Sequence, residues 1–133
     1  MRITMKTQYD TLDLIVKIAY DYTDPIVKRT TDKYGREVIT TWREHRTTVK
    51  CYEYSKKSTS CYVGTAICDY RDKKQYDKKK GREIAWANAL EKMVNIGFID
   101  KFEAFVLQSA GLNCTRAKID MTDKKRGCRI EKF

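Results

Sequence analysis

Between Arg71 and Arg82 the chain sets seven basic residues (Arg71, Lys73, Lys74, Lys78, Lys79, Lys80, Arg82) against two acids, Asp72 and Asp77. Charge at that density suits phosphate or a partner's carboxylates. It suits them best where a helix begins, because first-turn amides lack partners and the macrodipole is positive there. Lysines at that end oppose the helix unless an anion arrives. The same run also reads as a solvated charged loop. A second candidate is aromatic: Tyr52 and Tyr54 alternate along a strand-like stretch. Exposed aromatics beside lysine hold single-stranded nucleic acid by stacking, although tyrosine is equally a normal strand residue with a wet tip. The candidate nucleic-acid-binding residues are therefore Lys73, Lys74, Lys78, Lys79, Lys80, Arg82, Tyr52 and Tyr54.

Little else could carry a reaction. The one histidine, His45, sits in a basic connection, and the five cysteines lack zinc-ligand spacing. No P-loop, nucleophile elbow or dinucleotide fingerprint occurs. No cofactor or metal is expected, and the chain reads as a binding protein without catalysis. A carboxylate pair assembled by folding stays open, since the 18 acids are scattered.

The elements that would position the candidates follow from pattern. At about 100° per residue, Trp86, Ala89, Leu90, Met93 and Ile96 share one face with Ala85, which predicts a helix over residues 78–96. Gly97 and Phe98 supply a Schellman ending. Asp100 and Glu103 form a capping box that opens a second, shorter helix, with Phe102, Phe105, Val106 and Ser109 on one face. Upstream the period is two. Residues 11–20 alternate and are rich in β-branched side chains, which favours a strand over a helix capped by Asp10. Residues 26–30 and 37–42 flank Asp32-Lys33-Tyr34-Gly35 and predict a hairpin. Two further strands are expected at 47–54 and 61–69. Val49, Cys51, Cys61, Val63 and Ile67 have one parity there, and Tyr52, Tyr54, Tyr62, Ala66 and Tyr70 the other. Residues 115–121 offer another strand.

The expected architecture is α+β, an antiparallel sheet of four to six strands packed against a C-terminal helical hairpin, in one domain over residues 1–133. Residues 1–9 are assigned no structure and read as a disordered start. Residues 122–133 read as a basic tail. A net charge of +10 on 133 residues favours polyanions or acidic proteins as partners. The odd cysteine count and the lack of a signal peptide point to reduced thiols in the cytoplasm. The apolar runs reach about four residues, against the roughly 20 needed to cross a membrane.

Lys78-Lys79-x-Gly81-Arg82-x-x-Ala85-x-x-x-Ala89-Leu90 resembles the end of double-stranded-RNA-binding domains, whose last helix opens with K-K-x-A-K-x-x-A-A-x-x-A-L. That resemblance implies that Lys78, Lys79 and Arg82 face phosphates across a groove. Gly81 stands where that family has alanine, and Trp86 where it has its second alanine. The run from Lys79 to Leu90 also resembles a K-x-G-R-x-x-A-x-x-x-A-L segment in small basic proteins of tailed bacteriophages. This implies host takeover or counter-defence in the host cytoplasm. The leading expectation is a basic surface that engages nucleic acid or a nucleoprotein complex. The alternative is a protein inhibitor that meets an acidic surface on a host defence nuclease or polymerase and touches no nucleic acid.

Overall fold

The structure, a computed structural model, describes residues 1–54, 61–68, 77–123 and 127–133. In chain order the elements are β1 (Arg2–Lys6), β2 (Thr11–Tyr22), β3 (Ile26–Thr31), β4 (Glu37–Trp42), β5 (His45–Glu53) and β6 (Tyr62–Cys68). They are followed by α1 (Lys78–Asn95), α2 (Lys101–Ala110), β7 (Arg116–Asp120) and β8 (Arg129–Lys132). Six strands form one sheet in the order β6-β5-β2-β1-β7-β8, and β3 with β4 forms a separate two-stranded sheet. The class is α+β, as expected.

Alternation builds the core. Ile3 and Met5, Leu14 and Val16, Val49 and Cys51, and Ala117 and Ile119 all point to one face of the sheet. Against that face α1 buries Ala85, Trp86, Ala89, Leu90 and Met93, the phase read from the sequence except at Ile96, which is the C-cap and stands exposed, and α2 buries Val106, Leu107 and Ala110. Trp86 Nε1 donates to the Leu107 carbonyl at 3.1 Å and locks the two helices together. Gly64 lets α1 approach β6. A Cβ on Gly64 would lie 1.9 Å from the Ala85 carbonyl oxygen and 2.5 Å from the Ala89 nitrogen. α1 ends as a Schellman turn, with Phe98 N–H donating to Met93 O at 2.9 Å and Gly97 N–H to Val94 O at 3.0 Å.

Several expectations are corrected. The sheet is not wholly antiparallel, because β1 and β7 run parallel. Residues 1–9 contain β1, a strand inside the sheet, and the C-terminal stretch contains β8, paired with β7. The β1–β7 pairing joins segments more than a hundred residues apart, which local pattern cannot register, and β8 is a four-residue, wholly exposed strand with too little pattern to announce it. The parity drawn across β5 and β6 is also off by one residue. Cys51 pairs with Tyr62 and Lys50 with Val63, so Tyr62 joins the core side while Val63 and Ile67 share the other face with Tyr52. Strand register is set by the connection as well as by the pattern, and a one-residue slip exchanges the faces. Of the α2 face formed by Phe102, Phe105, Val106 and Ser109, only Val106 is buried.

Candidate nucleic-acid interface

The first turn of α1 presents Lys78, Lys79 and Lys80, all exposed, and contains no acidic residue. Asp77 is its N-cap. That carboxylate accepts from Lys79 N–H at 2.8 Å, so one of the unpaired amides is already satisfied. The next residues hold this turn against the sheet. Gly81 lies over Thr47, where a Cβ would come 2.7 Å from the hydroxyl oxygen. The alanine of the double-stranded-RNA-binding pattern does not fit there without a shift.

Tyr20, near the end of β2, organises the basic side chains. Arg82 Nη1 donates to the Tyr20 hydroxyl at 2.9 Å, and Lys78 Nζ lies 4.9 Å from the centre of the same ring. Both cations are thereby steered by an uncharged partner and keep their charge available. Beside them a cavity of about 270 Å³ is lined by Lys79, Arg82, Glu83, Trp86, the stretch 108–113, and Lys132. Sequence reading missed Tyr20 and Lys132. Tyr20 shares the parity of Leu14 and Val16 and could have been placed on the helix side, whereas Lys132 depends on the β7–β8 pairing.

The structure does not gather all eight candidates. Lys73 and Lys74 lie outside the described residues. Lys78, Lys79, Lys80 and Arg82 stand together on the helix side of the sheet. Tyr52 and Tyr54 lie on the opposite face, on which no described element packs extensively. Lys17, Lys50 and Lys118 line that face too, but its tyrosine rings already meet cations. The Arg2 guanidinium is 4.4 Å from the Tyr54 ring centre, and Lys17 Nζ is 5.6 Å from that of Tyr52. Arg2 also donates to both oxygens of Asp13, at 2.9 and 2.6 Å, and holds that carboxyl below the usual carboxylate range.

Among the described residues no cluster of three or more His, Cys, Asp or Glu side chains could hold a metal ion. His45 instead meets the Tyr22 ring at 4.7 Å. The five cysteines are free thiols, and burial pushes the Cys51 thiol up to about 12, far from nucleophilic at neutral pH. No described helix is long and apolar enough to cross a membrane.

Fold and surface define an α+β protein that presents a cluster of exposed lysines where α1 starts. No protein-family model matches the chain, and no curated protein or solved structure matches it either.

Proposed function

We propose that this chain is a non-catalytic nucleic-acid-binding protein that grips phosphates with Lys78, Lys79, Lys80 and Arg82. One observation carries the reading: the positive end of α1 exposes three lysines with no acid in its first turn, while Tyr20 steers Lys78 and Arg82 without neutralising them. Positive charge there works against the helix dipole, and a phosphate would relieve it. The open sheet face is the poorer grip, since a base stacking on Tyr54 must displace or share the Arg2 guanidinium. The resemblance to small basic phage proteins supplies a setting, host takeover or counter-defence in the host cytoplasm.

The test is a salt titration of duplex RNA, duplex DNA and single strands against wild type and a Lys78→Ala/Lys79→Ala/Arg82→Ala variant. On duplex DNA, log affinity falls with log salt at a slope of about −0.9 per phosphate contact. The variant should therefore lose about one unit of slope per cation removed. Equal, weak binding by both proteins rejects this reading and favours the inhibitor, whose partner would survive nuclease digestion in a native pull-down.

A further inference from the structure

Residues 24–43 leave the sheet as an arm. Its base is closed by Thr23 N–H donating to Glu44 O at 2.9 Å and by the Tyr22–His45 ring contact. Beyond Pro25, β3 and β4 pair from Ile26–Trp42 to Thr31–Glu37. Every residue from Val27 to Thr41 is exposed apart from Asp32, and the arm packs extensively on no other described element. An isolated two-stranded ribbon is marginal in water, and Val27, Ile39 and Tyr34 stand in solvent without stabilising it. Such an arm makes sense when something encloses it.

The charges say what. The arm carries Lys28, Arg29, Lys33, Arg36 and Arg43 against Asp24, Asp32 and Glu37. Two of those acids are occupied: Asp32 Oδ1 accepts from the Tyr34 and Arg36 N–H groups, each at 2.9 Å, and Glu37 meets Arg29 at 3.4 Å. At the tip Lys33 and Arg36 flank the exposed Tyr34 ring, at 5.1 and 5.4 Å from its centre. Tyr20, which holds Lys78 and Arg82, lies two residues before the end of the strand from which the arm springs. The arm and the helix cations therefore share one end of the sheet. Six residues per strand give a reach of about 20 Å. The major groove of B-form DNA, about 12 Å wide and 8.5 Å deep, admits a two-stranded ribbon, whereas the A-form RNA groove is too narrow.

We infer that the arm enters the major groove of duplex DNA while Lys78, Lys79 and Arg82 hold the adjoining backbone, an inference that rests on the phosphate-gripping reading and names its substrate. The test uses the full chain, a Lys28→Ala/Lys33→Ala/Arg36→Ala arm variant and the helix variant, each against DNA and RNA duplexes of one sequence. Dimethyl sulfate reports guanine N7 in the major groove. Wild type should prefer DNA by on the order of tenfold and protect N7. The arm variant, with an unchanged melting midpoint, should lose both the preference and the protection while keeping helix-dependent binding to either duplex. Equal DNA and RNA affinity in wild type, or N7 protection that persists in the arm variant, overturns the arm's role and leaves the helix reading standing. Failure of wild type to bind any nucleic acid overturns both, and binding of another protein through the arm without DNA protection overturns this inference.

Discussion

Arg82 donates from Nη1 to the Tyr20 hydroxyl at 2.9 Å, which ties the first turns of α1 to the strand that feeds the arm. Tyr20→Phe removes the acceptor and keeps the ring under Lys78. The hydrogen bond is solvent-exposed, so the variant should lose about 0.5 kcal/mol of stability. Its affinity for duplex nucleic acid should nevertheless weaken severalfold, because Arg82 is no longer aimed. Thermal melts and the same salt titration read both quantities. Unchanged affinity would mean that Tyr20 merely packs.

Gly64 and Gly35 are glycines for different reasons, and alanine separates them. At Gly64 a Cβ meets backbone atoms of α1, which cannot turn aside, so Gly64→Ala must push helix and strand apart. The cost should reach about 3 kcal/mol or more, the upper range for overpacking. At Gly35 nothing lies within 4 Å, but φ is +75°, so Gly35→Ala should cost only about 1 kcal/mol of backbone strain. Denaturant midpoints that coincided for the two variants would contradict the close approach of α1 to β6.

The parts of this fold legible in the sequence are those whose signal is local. Trp86, Leu90 and Met93 announce the buried face of α1, Asp100 and Glu103 close the capping box of α2, and Gly35 takes the positive φ of its turn. Ile3 and Met5 alternate with Arg2, Thr4 and Lys6 just as β2 does. Five residues carry too little pattern, however, and the parallel partner of that strand lies more than a hundred residues away. The candidate site divides in the same way. The lysines of α1 are contiguous and visible, but Tyr20 becomes their organiser only once β2 and α1 are packed. Tyr52 and Tyr54 are separated from those lysines by the thickness of the sheet.

Asp13 should make stability depend on acid. The two hydrogen bonds from Arg2 lower its folded-state pKa, while in the unfolded chain the carboxyl returns to its ordinary value of about 3.9. The folded state then binds the proton more weakly. The stabilisation is present in full above the unfolded value and fades as pH falls through about 4 toward the folded one. Asp13→Asn should therefore be less stable than wild type near neutral pH, by a modest amount because the pair is partly solvated. The gap should close in acid. Urea midpoints across that range check it, and a gap that widened on acidification would reverse the sign of the linkage.

The lysines of α1 and their cap should respond in opposite senses, which separates a binding surface from a structural one. Lys79→Ala and Lys80→Ala each remove a positive charge from the positive end of the helix dipole, so the fold should hold or gain about 0.3 kcal/mol at low salt. Duplex affinity should fall, and the salt slope should flatten by about one unit for each cation that contacts phosphate. Asp77→Ala should do the reverse. It removes the cap that accepts from Lys79 N–H and should cost about 1 kcal/mol of stability. It also deletes the carboxylate at that helix end, so affinity for a polyanion should rise. A lysine that served the fold would lose stability on truncation, and a cap that served a ligand would lose affinity. Melting midpoints and salt slopes measured on the same three variants distinguish these outcomes, because only a phosphate site at the start of α1 makes stability and affinity move in opposite directions at all three positions.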